Sequence, residues 1–287
     1  MKLTVRAPAK INLYLDILGK LPNGFHSLAM VMQSVDLCDT VTITETEEPG
    51  IRLRCSDPGI PCDERNIAWK AADAFYTALG MQPQLELTIE KRIPAAAGLA
   101  GGSADGAAVF AGLNALHGKP MSDRALAALS LTVGTDLPFC LQGGTCLAQH
   151  TGGILSPLPP LPPCTVVLSK PQRAVSTAEA YAEADHTRLY HPNWLRMLDA
   201  CAAADLDAIC KEAGNVFEQI VDVPERVSIK QVMRRHHTKL CQMSGSGPTV
   251  FGLFDDPEAA AACADELRAQ FPQTYLASPC DHGAIVV

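Results

Sequence analysis

PAAAGLAGGSADGAA, residues 94–108, is the stretch on which the reading of this chain turns. It opens as a loop and closes as a helix: a proline and the glycines Gly98, Gly101 and Gly102 lead into alanines that favour helix. Glycine permits backbone torsions closed to other residues and lets a ligand approach the main chain. A helix N-terminus adds unpaired N–H groups and the positive end of a dipole. Together these describe a cradle for phosphate, with the Ser103 hydroxyl available to phosphate or Mg²⁺. Taken alone, the string fits a ligand-free strand-to-helix turn as readily. No lysine follows the glycines, so this is not a Walker A loop, and the Gly-x-Gly-x-x-Gly fingerprint is missing. A lysine needed for phosphoryl transfer has to come from elsewhere in the chain.

Working outward, the helix is predicted from about Ser103 to His117, closed by Gly118 and Pro120. Upstream, residues 3–6 and 11–18 read as short strands separated at Pro8. Residues 41–44 and 51–54 alternate like a hairpin around Glu47-Glu48-Pro49-Gly50, and 85–89 read as a further strand. Residues 66–79 have helical spacing, with Gly80 as C-cap. Downstream, a helix near 122–132 precedes Gly134-Thr135-Asp136. The proline-rich run 156–163 reads as a stiff connector, which divides the chain at 1–158 and 159–287. The second half gives a strand at 165–169 and helical runs at 176–184, 193–203 and 205–220. A glycine-rich turn at 243–247 opens a strand, and a helix at 257–270 starts from Asp256 as N-cap and Pro257. The mixture predicts an α+β architecture.

Bulk properties exclude several classes. With 287 residues, 47% hydrophobic and 19% charged, the chain can bury a sizeable core. A net charge of −8 does not draw nucleic acid or an anionic membrane, so any positive field has to be local. No stretch reaches membrane-span length. The eleven cysteines include no Cys-x-x-Cys pair, and His236 and His237 are adjacent, so zinc-site spacing is absent. Free thiols and an N-terminus unlike a signal peptide lead us to expect a reducing cytoplasm.

Four other short stretches carry chemistry. Lys10 sits between apolar runs in Ala7-Pro-Ala-Lys10-Ile-Asn12, as a site lysine or as an edge-strand charge. Asp136 could take a proton from a hydroxyl, or only form a turn. In Gly24-Phe25-His26 the ring of Phe25 could stack on a planar base and His26 could hydrogen-bond it. His26 alone could equally be a satisfied core or surface histidine. Ser244-Gly-Ser-Gly247 is another anion-friendly turn, weak by itself.

In order and spacing, these stretches together resemble the motif series of the GHMP kinases over nearly the whole chain. The resemblance implies a ribosomal-protein-S5-like N-terminal domain and a ferredoxin-like C-terminal domain, with the active site between them. It implies ATP as co-substrate with Mg²⁺. The phosphates would bind along Pro94, Ala95, Ala96, Ala97, Gly98, Leu99, Ala100, Gly101, Gly102, Ser103 and Ala104, with Ser103 toward the metal. Asn66 and Lys91 would approach the nucleoside. Lys10 and Asp136 would be the catalytic pair. The implied partner is a small molecule, a cytidine diphosphate-linked methylerythritol, with Asn12, Phe25 and His26 on its cytidine side and Thr177 touching it. The chain departs from the family pattern in three places: Phe25 stands where tyrosine is common, Ala104 where a second serine is common, and alanines at 95–97 and 100 where some members have glycine. Two rivals are another GHMP kinase with a different alcohol and a non-catalytic descendant, which should lack Lys10 or Asp136. A dinucleotide oxidoreductase is ruled against by the missing fingerprint.

Overall fold

The chain opens with one long hairpin, β1 (Lys2–Lys20) and β2 (His26–Glu45), in a computed structural model that describes residues 1–287. Pro8 does not interrupt β1 as the sequence suggests. Proline cannot donate to the ladder, and the register slips there instead, with Pro8 opposite Cys38 and Ala9 opposite Val35. A second slip between Asn12 and Tyr14 turns the strand again beside the cleft described below. β2 also starts far upstream of the expected strand at 41–44.

The expected hairpin between 41–44 and 51–54 does not form. β3 (Gly50–Cys55) pairs in parallel with β4 (Gln84–Glu90), which lies between β3 and β2. Parallel neighbours need a crossover, and α1 (Ile67–Leu79) provides it. Gly80 takes the left-handed C-cap read from the sequence, and Asn66, read as the helix's first residue, is its N-cap and accepts from the Ala68 N–H. β4 buries Leu85, Leu87 and Ile89 on one side, so its hydrophobic alternation selects this central place.

α2 (Gly101–Leu116) lies across β1 and β2, two residues earlier at its start than expected. α3 (Asp123–Leu131), capped by Ser122, and the short α4 (Leu137–Gln142) follow. β5 (Thr145–His150) then pairs with the free half of β2, and β6 (Ile154–Pro157) with β5, so part of the proline run is strand.

The second half builds a separate antiparallel sheet. Its chain order is β7 (Thr165–Ser169), α5 (Thr177–Ala184), α6 (Trp194–Ala202), α7 (Leu206–Glu212) and β8 (Gly214–Asn215). A 3-10 turn (Val216–Gln219), α8 (Glu225–Arg235), β9 (Leu240–Met243), β10 (Val250–Phe254), α9 (Pro257–Arg268), β11 (Thr274–Ala277) and β12 (Ile285–Val286) complete it. The sheet runs β11–β7–β10–β9, and α8 and α9 cover it through a core that includes Met233, Phe254 and Leu267. The helix expected over 205–220 stops at Glu212. There Gly214 pairs with Tyr14 of β1, and the Asn215 side chain accepts from the Phe217 N–H, which breaks the helical ladder. The middle of β1 is buried on both faces, residues 7–17 without exception, with α2, α6 and α7 packed on it and β8 paired along its edge. The last residues leave the second sheet and return to the first, where β12 pairs with β1. No helix is long and apolar enough to cross a membrane.

Candidate active site

A cleft of about 510 Å³ opens between the two sheets. Its walls include Lys10, Asn12, the 94–98 and 100–103 backbone, Asp136 and Thr177. Separate predictions from distant parts of the sequence thus meet in one place.

Lys10 projects from the doubly covered part of β1 and is only 5% exposed. Its Nζ donates to Asn12 Oδ1 at 2.6 Å and to the Gly98 carbonyl at 2.9 Å. Burial pushes its pKa down, and the nearby Asp136 carboxylate pulls the other way. Asp136 occupies the N-cap position of α4, yet its side chain makes no capping hydrogen bond, which leaves both oxygens for the cleft. Asn12 Oδ1 also accepts from the Gly245 N–H at 3.0 Å, so one amide ties the lysine to the second domain. Asn215 Nδ2 holds that glycine turn from behind, donating to the carbonyls of Met243 and Gly245 at 2.7 and 2.8 Å.

The loop ahead of α2 is pinned from both sides. Lys10 N donates to Leu99 O, and Ser244 Oγ to Gly98 O at 2.9 Å. Gly98 has φ +75°, and a Cβ there would stand 2.2 Å from the Ser244 carbonyl, so the position excludes every other residue. Ala96 and Ala100 also take positive φ, 48° and 58°. Ala100 is the N-cap of α2 without a capping side chain, so the first-turn N–H groups have no side-chain partner at the cleft. Ser103 lines this mouth, whereas Leu99 and Ala104 turn into the core.

Lys91 also borders the cleft, but two carboxylates hold it. Its Nζ donates to Asp39 and, at 2.7 Å, to Asp105 Oδ2. Asp39 additionally accepts from the backbone N–H groups of Arg92 and Ile93 at 2.6 and 2.8 Å. Burial pushes the Asp105 carboxyl up to about 8; the Lys91 ammonium opposes this and the Asp39 carboxylate adds to it. Asp105 Oδ1 is buried without a partner. Asn66 borders the cleft with its side chain committed to capping α1 and to the Pro61 carbonyl.

The fourth sequence motif lies outside the cleft lining. Phe25 is 58% exposed at the tip of the β1–β2 hairpin. His26 stacks on Tyr181 with ring centroids 4.7 Å apart, and its Nε2 meets Asp185 Oδ1 at 2.7 Å. Lys20 also pairs with Asp185, and hydrogen bonds from Lys20 and His26 hold that carboxyl down to about 2. Tyr181 itself lines the cleft, edge-on to Phe217 at 5.0 Å. The Thr177 and Ser246 hydroxyls hydrogen-bond at 2.8 Å, both from the second half of the chain. The sequence reading misses Tyr181, Asp39 and Asn215. Asp105 lies inside the quoted stretch and was legible as an acid there, but its partners come from other strands.

A buried lysine, a carboxylate and a glycine-rich helix start around one cleft suit a small-molecule kinase. The GHMP kinases N terminal domain model matches residues 66–144, and the GHMP kinases C terminal model matches residues 197–273. The chain belongs to the GHMP kinases and, within them, to the 4-diphosphocytidyl-2-C-methyl-D-erythritol kinase family. The protein of that name from Bacillus pumilus (strain SAFR-032) is 42% identical over 277 residues, covering 96% of each chain. A crystal structure of 4-(cytidine 5'-diphospho)-2C-methyl-D-erythritol kinase superposes with a TM-score of 0.76 at 29% identity, covering 97% of this chain and 99% of that one. L. major mevalonate kinase superposes as well, at 0.78, with 15% identity and coverage of 97% and 96%. That likeness shows the fold alone, and the two-domain GHMP kinase architecture is common to all three.

Proposed function

We propose that this chain transfers the γ-phosphoryl group of ATP to the 2-hydroxyl of 4-diphosphocytidyl-2-C-methyl-D-erythritol, in non-mevalonate isoprenoid precursor synthesis. The observation that carries the mechanism is Lys10, buried and held between Asn12 and the Gly98 carbonyl, with Asp136 lining the same cleft. The substrate hydroxyl oxygen attacks the γ-phosphorus and the bond to the β–γ bridging oxygen breaks. ADP leaves, and Asp136 receives the hydroxyl proton. Lys10 stabilises the alkoxide character that develops, in a site where burial strengthens the interaction. The 94–103 loop and the start of α2 hold the phosphates by N–H groups and dipole.

No group of three or more acidic, histidine or cysteine side chains is arranged for a metal. A Mg²⁺ carried on the nucleotide would be reached by the Ser103 hydroxyl within the phosphate mouth. When bound, Mg²⁺ neutralises charge on the β- and γ-phosphates. We place the domain division at residues 158/159, with the last ten residues returning to the first domain. Asn12, His26, Tyr181 and Thr177 mark the alcohol side, and Phe25 reaches a cytosine only if the hairpin tip folds inward.

The test is ATP consumption with purified protein, Mg²⁺ and the diphosphocytidyl alcohol, against the same alcohol lacking its cytidine. Turnover confined to the cytidine compound is the expected result. Equal turnover of both alcohols would remove cytidine from recognition, and no turnover of either would remove this substrate.

A further inference from the structure

Asp136 stands at one end of α4, and the other end of that helix is finished by a different part of the chain. A helix of six residues cannot satisfy its last carbonyls internally. The Ala284 N–H donates to Cys140 O at 2.8 Å and the Gly283 N–H to Gln142 O at 3.1 Å. Contact is backbone on backbone. A Cβ on Gly283 would stand 2.3 Å from Cys140 O and 2.5 Å from Leu141 O, and one on Gly143 would stand 1.9 Å from the His282 carbonyl carbon. The tail is itself fastened to the first sheet. Cys280 N donates to Ser34 O, Gln33 Nε2 to Cys280 O, and Val287 N to Thr4 O, while β12 pairs with β1. Gly283 has no positive φ, so an alanine there meets an obstacle in packing and none in torsion.

We propose that residues 279–287 are a positioning clasp for the base: by capping the C-terminal carbonyls of α4 they fix where Asp136 stands in the cleft. The proposal rests on the reading of Asp136 as base. A displacement of the order of 1 Å in a catalytic group costs about a hundredfold in rate, and α4 is too short to absorb a push at its far end. None of residues 279–287 lines the cleft, so their influence through α4 should fall on turnover and spare nucleotide binding.

The experiment compares Gly283→Ala, Asp136→Asn and the double variant in the full chain. Measurements are kcat, KM for both substrates, ATP affinity by calorimetry and thermal unfolding. Gly283→Ala should lower kcat ten- to a hundredfold with ATP affinity within twofold of the parent, and it should add nothing in the Asp136→Asn background. A folded Gly283→Ala protein with unchanged kcat overturns the clasp. So does a loss that multiplies with that of Asp136→Asn. Should Gly283→Ala fail to fold, hydrogen exchange on the unaltered protein decides. The Gly283 and Ala284 amides should open together with those of α4, and exchange in the tail a hundredfold faster than in α4 overturns the proposal. Full turnover by Asp136→Asn alone would strike the base assignment, leaving the clasp to be judged by exchange.

Discussion

Replacing Asp105 by asparagine tests the electrostatics beneath the phosphate loop. Asp105 faces Lys91 and Asp39, with the thiols of Cys55 and Cys140 close by. Its carboxyl is 3% exposed and raised to about 8, first by burial and then by Asp39, against the pull of Lys91. Asp39 and Lys91 then form the charged pair, and Asp105 keeps its proton. A carboxyl raised in the folded state holds a proton that the unfolded chain has already released above about pH 4. Unfolding releases that proton, so stability falls as pH rises toward 8. The slope for one proton is at most about 1.4 kcal/mol per pH unit, or about 3 kcal/mol between about pH 5 and pH 7. Asparagine keeps the shape and removes the titration. Urea unfolding of both proteins over this range should show the parent losing stability relative to Asp105→Asn as pH rises. Parallel curves would mean that Asp105 is ionised in the folded protein, and the reasoning would fail.

Asp136→Asn should lower kcat by about 10²–10⁴-fold without loss of stability, because the side chain caps nothing; a normal rate in a coupled ATPase assay removes it from the mechanism. Lys10→Met should fold, since Asn12 Oδ1 keeps the Gly245 N–H and Gly98 O keeps Ser244 Oγ. Its kcat should fall by about 10²–10³-fold, and unchanged kinetics would return Lys10 to a structural role. Ala100→Gly relieves a left-handed torsion worth about 1–2 kcal/mol and loses about 0.5–1 kcal/mol to the freer unfolded chain. Denaturant unfolding should therefore show a gain of about 0–1.5 kcal/mol, and a clear loss would mean that the alanine methyl packs usefully.

Local chemistry was readable wherever the cause is local. Asp256 caps α9 because its side-chain oxygen reaches the N–H two residues on, and Gly80 ends α1 because it takes the left-handed turn cheaply. The order and spacing of the motifs around Lys10, residues 94–108 and Asp136 were enough to indicate the family and its two-part α+β fold. What failed was pairing. The 41–44 and 51–54 segments looked like a hairpin, but β4 inserts between them, a choice made by burial of Leu85, Leu87 and Ile89 over a long sequence separation. Gly214 and Asn215 cut short a helix because β1 and the glycine turn at 245 needed their backbone and amide.

The sequence by itself determined which chemical groups were present: a lysine, a carboxylate, a glycine-rich helix start and a histidine near an aromatic ring. Only the tertiary structure decided their states and their company. Lys10 is desolvated because sheets and helices cover β1 on both faces, and Lys91 is committed because Asp39 and Asp105 converge on it from separate elements. Phe25 is left in solvent while Tyr181 takes the place beside His26. Charge, protonation and access depend on burial and on neighbours remote in the chain, and those distances exist only after folding.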